Sequence, residues 1–160
     1  MLIGILSDTH GLLRQEVIDG LEGVDHIIHA GDIDNKQVID RLEEIAPVTV
    51  VRGNADKEWA EYIPETATVE LLGNKICVIH NKGKIYDDLA GISIIIYGHS
   101  HKYSLVEKTG KYGLIPDAAE KENQTRKSLL QSLRYQARES LNFRKELSPP
   151  WDRTQSYQRI

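Results

Sequence analysis

The sequence predicts an α/β fold in which two packed mixed sheets are flanked by helices. The first half of the chain alternates short apolar runs with amphipathic segments, and this β-α-β-α-β pattern favours parallel strands with right-handed crossovers. The second half contains two hairpin patterns, which favour antiparallel pairing. At 160 residues the chain is long enough for one domain with a substantial core.

The elements of the first half follow from hydrophobic periodicity. Strand-like apolar runs cover residues 2–6, 26–30 and 48–51, and each is followed by a turn that contains Gly together with Asp, Asn or His. Apolar side chains at helical spacing predict two helices, over about 13–23 and about 35–46. The parallel strands would thus all end in polar turns at one edge of their sheet.

The second half has a different pattern. A hairpin is predicted over 67–79 with its turn at Gly73-Asn74, a short helix over 85–90, a buried strand over 92–97, and a second hairpin over 103–115. These antiparallel units would form the second sheet.

Residues 116–160 form an atypical helical or disordered C-terminal tail, so we place a domain boundary after residue 115. A narrow apolar stripe in a charged, Gln-rich segment predicts a helix over about 119–147. The last ten residues are predicted to be frayed, without stable secondary structure. One interpretation is a helical extension used for homo-oligomerisation.

Composition excludes several classes of protein. The formal net charge of −4 gives no general affinity for nucleic acid or membranes, and no apolar stretch approaches the length of a membrane span. The N-terminus lacks the basic region of a signal peptide, and the single cysteine, Cys77, cannot form an internal disulfide. We therefore expect a cytoplasmic protein.

Seven side chains that can bind a metal ion follow these strands directly. They are Asp8, His10, Asp32, Asn54, His80, His99 and His101. Each turn alone has a plain structural reading, because Gly, Asp and Asn favour turns for backbone reasons. Together, with one carboxylate bridging, they would supply eight bonds, enough for two four-coordinate ions. Without thiolates the set favours Mn, Fe, Co, Ni or Zn over softer metals, and we expect Mn, with Ni, Zn, Fe or Co as alternatives.

The order of these motifs resembles the calcineurin-like metallophosphoesterase superfamily. The phrases Ser7-Asp-Thr-His-Gly11 and Val51-Arg-Gly-Asn-Ala-Asp56 resemble its small bacterial and archaeal phosphodiesterase branch, which also contains the retromer scaffold subunit. The resemblance covers about residues 1–115 and implies a four-layer α/β/β/α sandwich with a dinuclear centre. A bridging hydroxide would then attack a small phosphate ester, with both ions stabilising the developing charge.

The resemblance also implies a distribution of ligands. Asp8, His10, Asp32 and His101 would hold one ion, and Asp32, Asn54, His80 and His99 the other. Asp32, Asn54 and His99 would act in catalysis by positioning metal and phosphate. A non-catalytic metal-binding scaffold for protein–protein interaction is the alternative function, although such relatives tend to lose site residues and all seven are present here.

Several positions depart from the family pattern or match no ligand. Ala55 stands where many members carry a histidine that protonates the leaving group, which favours activated or diester substrates. Arg52 is a candidate phosphate contact, with a surface ion pair as the equal alternative, and Lys82 is a weaker candidate. His26 and His29 match no ligand position and are interpreted as ordinary strand residues.

The tail lacks the Asn-Pro-Gly-Ser motif and closing strand that normally follow the last hairpin of the family. Codons can be chosen for residues 113–121 that, read one frame over, give Phe-Asn-Pro-Gly-Cys-Cys-Gly-Lys. This suggests that the tail arises from a frameshift, which would leave the seven ligands in place but lower stability, or even give a poorly folded, inactive product. The nucleotide sequence decides the question, because the hypothesis requires an alternative frame that encodes an Asn-Pro-Gly closing strand.

Overall fold

The computed structural model describes residues 1–85 and 89–101, together with the backbone of three further strands. The described residues form nine strands: β1 (Leu2–Leu6), β2 (His26–His29), β3 (Val48–Val50), β4 (Thr66–Leu71), β5 (Asn74–Ile79), β6 (Ile94–Ile96), β7 (Ser104–Lys108), β8 (Lys111–Ile115) and β9 (Gln131–Arg134). They also form two α-helices, α1 (Gln15–Gly20) and α2 (Lys36–Glu43), and two short 3₁₀ turns, Glu58–Ala60 and Lys82–Lys84.

The strands build two mixed sheets, as predicted. The first sheet has the order β3-β2-β1-β9, in which β1, β2 and β3 are parallel and β9 is antiparallel to β1. The second has the order β4-β5-β6-β8-β7, in which β5, β6 and β8 are parallel. The ends of the parallel strands therefore present their following loops together at one edge of each sheet.

Two apolar cores follow from the alternation of side chains along β1. Ile3 and Ile5 point to one face, where they pack with Ile28, Val78 and other residues between the two sheets. Leu2 and Leu6 point to the other face, where the core contains the buried side chains of α1 and α2. The first sheet is thus covered on both faces, which explains why its strands read as continuous apolar runs.

Local chemistry fixes the ends of several elements. The side chain of Asn35 accepts a hydrogen bond from the Val38 N–H at 3.2 Å and caps the start of α2. The first hairpin turns at Leu72-Gly73, one residue earlier than predicted, with φ of +55° and +71°. Both central residues of this turn have positive φ, as a type I′ turn requires.

The sequence-based assignment of the tail needs one correction. The helix predicted over about 119–147 is wrong at residues 131–134, which form β9 and pair with β1. The edge of β1 presents unpaired backbone groups, and pairing with them outweighs the weak local helical periodicity. The first sheet therefore has a strand beside β1, although the sequence suggested that the closing strand was missing. The rest of the predicted helix and residues 86–88 of the short helix over 85–90 lie outside the described residues.

A search of the described residues for a membrane-crossing helix found none that is both long and apolar enough.

Candidate metal centre

The seven predicted ligands all lie in loops or at strand ends along one edge of the two sheets. Asp8 and His10 follow β1, Asp32 follows β2, and Asn54 follows β3. His80 comes directly after β5, and His99 and His101 come after β6. The parallel strands of both sheets thus bring together residues that are far apart in sequence.

Six of these side chains form two compact groups. The first donor group contains Asp8, His10 and His101, and the second donor group contains Asp32, His80 and His99; within each group the candidate ligand atoms lie within 4.8 Å of one another. His10 Nε2 lies 3.9 Å from Asp32 Oδ2, so Asp32 stands between the groups. The seventh side chain, Asn54, adjoins the second group, with its amide nitrogen 3.3 Å from His99 Nδ1.

Two buried atoms in these groups have no hydrogen-bond partner among the described residues: Asp8 Oδ1 and His80 Nε2. Asp8 Oδ1 lies 3.4 Å from His101 Nε2, and His80 Nε2 lies 3.2 Å from Asp32 Oδ2, without the direction of a hydrogen bond. A buried polar atom without a partner costs roughly 1–3 kcal/mol. Two such atoms beside other oxygen and nitrogen donors, with no thiolate, fit the binding of divalent cations.

The other oxygen of Asp8 is already engaged. Asp8 Oδ2 accepts hydrogen bonds from the Ser7 hydroxyl and, at 3.3 Å, from the His99 N–H. These contacts hold the carboxylate so that Oδ1 turns toward His101. The carboxylate is fully buried, so its orientation is set by the protein rather than by solvent.

The backbone at the site is strained. Five of the seven predicted ligands have φ in the left-handed region: Asp8 (+53°), His10 (+44°), Asp32 (+56°), His99 (+71°) and His101 (+50°). For residues other than glycine this conformation costs on the order of 1–2 kcal/mol each. Backbone hydrogen bonds between the loops after β1 and β2 help to hold it, such as the Asp8 N–H to the Gly31 carbonyl at 2.9 Å. Strain of this kind concentrates at functional sites.

Glycine precedes three of the ligands because there is no room for a side chain. A Cβ at Gly31 would lie 2.8 Å from the Cβ of His80, and a Cβ at Gly98 would lie 2.9 Å from the Ala30 carbonyl oxygen. At Gly53 it would collide with the carboxylate and backbone nitrogen of Asp32. The Gly-Asp, Gly-Asn and Gly-His pairs of the sequence thus reflect close packing between loops, in addition to turn geometry.

Asp32 and His80 form a buried pair. Burial by itself would raise the pKa of Asp32, but the His80 imidazole at 3.2 Å, the hydrogen bond from the Ala55 N–H and the nearby imidazole of His10 lower it to about 2. Burial would lower the pKa of His80, yet the adjacent Asp32 carboxylate and the hydrogen bond to the Ala30 carbonyl raise it. His80 Nδ1 donates to that carbonyl at 2.8 Å, which leaves Nε2 as the atom that faces the site.

Two carboxylates outside the candidate ligand set support the ligand loops. Asp34 Oδ2 accepts a hydrogen bond from His10 Nδ1 at 3.1 Å, which turns the His10 Nε2 toward Asp32. Asp56 accepts three backbone hydrogen bonds, from Ile33 at 2.9 Å, Asp34 at 2.8 Å and Gly53 at 2.7 Å. Asp56 therefore joins the loop after β2 to the loop after β3.

His29 belongs to neither donor group, in line with its interpretation as a strand residue, but it has a structural task. Its Nδ1 accepts the Gly31 N–H at 3.2 Å, so its Nε2 carries the proton and donates to Thr9 Oγ1 at 3.0 Å. Burial lowers the pKa of His29 to about 4, and the side chain is neutral. His26 lies outside the site and pairs with Thr49 at 2.8 Å.

A cleft of about 330 Å³ adjoins the second donor group. Charged and polar residues that line it include Arg52, Asn54, Asp56, Glu65, His80 and Lys84. Arg52, the predicted phosphate contact, pairs with Glu65 at 3.1 Å, and Lys84 pairs with the other Glu65 oxygen at 3.3 Å. Lys82 instead lies over the ring of Tyr97, 5.8 Å from its centroid, and does not line this cleft.

Known proteins share this sequence pattern and fold. A family model for the calcineurin-like phosphoesterase superfamily domain matches residues 1–130. A probable metallophosphoesterase of Methanocaldococcus jannaschii is 34% identical, over 63% of this chain and 59% of that protein. The match therefore spans less than two thirds of that relative's length.

Two solved structures illustrate the likeness of the fold. A predicted phosphoesterase from Streptococcus pneumoniae is 28% identical, with a TM-score of 0.61 over 78% of this chain and 76% of that one. Wild-type Vps29 of Entamoeba histolytica, solved in complex with Zn²⁺, is 26% identical, with a TM-score of 0.61 over 74% of this chain and 75% of that one. Because the family model matches well over half of the sequence, the chain belongs to the calcineurin-like phosphoesterase superfamily.

Proposed function

We propose that the protein is a phosphodiesterase that uses two divalent metal ions. The observation that carries the proposal is the pair of donor groups, each with its ligand atoms within 4.8 Å of one another. Membership of the phosphoesterase superfamily supports hydrolysis of a phosphate ester as the class of reaction. The buried, unpartnered atoms of Asp8 and His80 support metal binding independently of that membership.

The proposal divides the ligands between two ions. One ion takes Asp8, His10, Asp32 and His101, and the other takes Asp32, Asn54, His80 and His99. An oxygen and nitrogen set suits Mn, Fe, Co, Ni or Zn, and of these we propose Mn²⁺ first, with the others as alternatives. Such ions, when bound, would lower the pKa of a shared water, polarise the phosphoryl oxygens and stabilise the leaving oxygen.

The residues of the chain would position the substrate and set the net charge of the metal site. Two carboxylates neutralise only part of the charge of two divalent ions, so the site would remain positive and attract an anionic phosphodiester. Asn54 and His99, whose side chains lie 3.3 Å apart, would help to position metal and phosphate. Ala55 donates its N–H to Asp32 at 2.9 Å and its methyl group cannot donate a proton, which favours esters whose leaving oxygen needs little protonation.

We infer that the substrate is a small molecule rather than a nucleic acid. The formal net charge of −4 provides no excess of cations to neutralise a phosphate backbone. A cytoplasmic location and a possible homo-oligomer remain predictions from the sequence.

A metal-reconstitution assay tests the proposal. Metal-stripped protein is supplied with Mn²⁺, Ni²⁺ or Zn²⁺, bound ions are counted, and release of p-nitrophenol is followed from bis(p-nitrophenyl) phosphate and from the monoester. We expect two ions per chain, metal-dependent turnover and a preference for the diester. Asp32→Ala and His99→Ala should each lower the rate by about 100-fold or more, because loss of a ligand exceeds the effect of losing an outer partner.

The matched control is His26→Ala, which removes an imidazole from β2 outside both donor groups. This variant should keep wild-type turnover and should still bind two ions. Equal background rates in the wild type and all three variants would contradict the proposed reaction.

The likeness to Vps29 supports a second candidate, a metal-binding scaffold for other proteins. The same experiment separates the two functions. A scaffold would bind two ions per chain without metal-dependent turnover, and its ligand variants would lose ions without any change in rate.

A further inference from the structure

The cleft beside the second donor group has two ends with different chemistry. At one end are Asn54 and His80, which belong to the proposed metal site, and at the other are Arg52, Lys84 and Glu65. Arg52 is two residues from Asn54, so their Cα atoms lie at most about 7 Å apart. The volume of the cleft, about 330 Å³, falls within the range of small-molecule sites.

Among the described residues that line the cleft, two cations are arranged around a single carboxylate. Arg52 contacts one oxygen of Glu65 at 3.1 Å, and Lys84 contacts the other oxygen at 3.3 Å. The other acidic residue of the lining, Asp56, is buried and directs its carboxylate to three backbone N–H groups. Two cations therefore share one carboxylate at the mouth of the cleft.

These ion pairs are easily exchanged. The side chains are exposed by 32% for Arg52, 52% for Glu65 and 50% for Lys84, so water already competes for each contact. An anionic group on a ligand could replace Glu65 on both cations, and the planar guanidinium could bind it through two nitrogens. The side chains of Asp32 and His80 are buried, so water does not compete in the same way for their contact.

We propose that Arg52 and Lys84 form a subsite for a second anionic group, a phosphate or carboxylate, on the phosphodiester substrate, and that Glu65 occupies these cations when the subsite is empty. The inference rests on the proposed function, which places the reacting phosphate at the donor groups. It identifies the substrate class as small phosphodiesters with an additional negative charge close to the ester.

The test compares two substrates that differ only in that charge. Thymidine 5′-(p-nitrophenyl phosphate) and its 3′-phosphorylated analogue both release p-nitrophenol. The wild type should favour the 3′-phosphorylated substrate in kcat/KM by about 3- to 10-fold at low ionic strength, mainly through KM, and salt should reduce the preference. The double variant Arg52→Gln/Lys84→Gln should lower this ratio to about one, and Glu65→Gln should raise it.

A binding measurement makes the test independent of turnover. Calorimetry measures the affinities for thymidine 3′,5′-bisphosphate and thymidine 5′-monophosphate. The ratio of these two affinities should follow the kcat/KM ratio in the wild type and in each variant. Lys36→Gln removes an exposed cation of α2 that pairs with Asp40, and this control should leave both ratios unchanged.

The outcomes separate the two proposals. Metal-dependent hydrolysis of both substrates with the same ratio in the wild type and the double variant would overturn the subsite and leave the phosphodiesterase intact. Absence of hydrolysis would overturn the proposed function, and the binding ratio would still decide the subsite.

Discussion

Replacement of His29 by glutamine tests how the two loops behind the metal centre are held. The folded chain keeps this imidazole neutral, because Nδ1 accepts the Gly31 N–H and the ring is fully buried. Burial lowers its pKa in the folded state to about 4 from the ordinary 6.5. The unfolded chain therefore takes up a proton at His29 at a pH where the folded chain does not.

The sign and size of the effect follow from proton linkage. The contribution of neutral His29 to stability is complete above pH 6.5 and is lost progressively as the pH falls toward 4. Between pH 7.5 and pH 5 this loss amounts to about 2 kcal/mol. His80 acts in the opposite direction, because its pKa is raised and its contribution is lost as the pH rises. The effect of His29 is therefore measured as the difference in free energy of unfolding between the wild type and His29→Gln.

Urea unfolding in the presence of a chelator gives that difference. The free energy of unfolding of the wild type and of His29→Gln is measured at several pH values from 7.5 to 5. Glutamine does not titrate, so the advantage of the wild type should shrink by about 2 kcal/mol across this range. A constant difference would refute the reasoning, since it would mean that His29 is protonated equally in both states.

Three further predictions concern the surroundings of the site. Asp56→Asn places an amide N–H₂ among three backbone N–H donors and should cost about 2 kcal/mol in urea unfolding, whereas the exposed Asp40→Asn should cost far less; equal costs would contradict this role. Gly53→Ala drives a methyl group into Asp32 and should weaken metal binding by at least about 10-fold in a metal titration, and unchanged affinity would disprove the close packing. Burial raises the pKa of Cys77, so its thiol should react with Ellman's reagent at least about 100-fold more slowly in the folded protein than in urea; similar rates would show that the thiol is accessible.

The sequence indicates the candidate ligands because they are local features. An apolar run followed directly by Asp8 or His80 marks the end of a buried strand, and parallel strands place their ends together. The residues that orient these ligands were not predictable in the same way. Asp56 belongs to one of the motifs that carry the family resemblance, but the roles of Asp34 and Asp56 depend on which loops meet in space.

In the tail, hydrophobic periodicity led to a wrong assignment of secondary structure. An apolar stripe at helical spacing predicted a helix through residues 131–134, yet these residues pair with β1. The deciding factor is the unpaired edge of a strand more than a hundred residues earlier, which no local pattern contains. Whether the tail arises from a frameshift remains a hypothesis for the nucleotide sequence to decide.

Each donor group takes residues from both sheets, and this has a consequence for the lifetime of the protein. Asp8 and His10 follow the first sheet, whereas His101 follows the second. An ion held by all three would cross-link the two sheets, and unfolding would have to release it. At a free metal concentration of one hundred times Kd, each ion would add about 2.7 kcal/mol to the free energy of unfolding. Metal supply would then govern how long the folded protein persists, independently of how fast it turns over substrate.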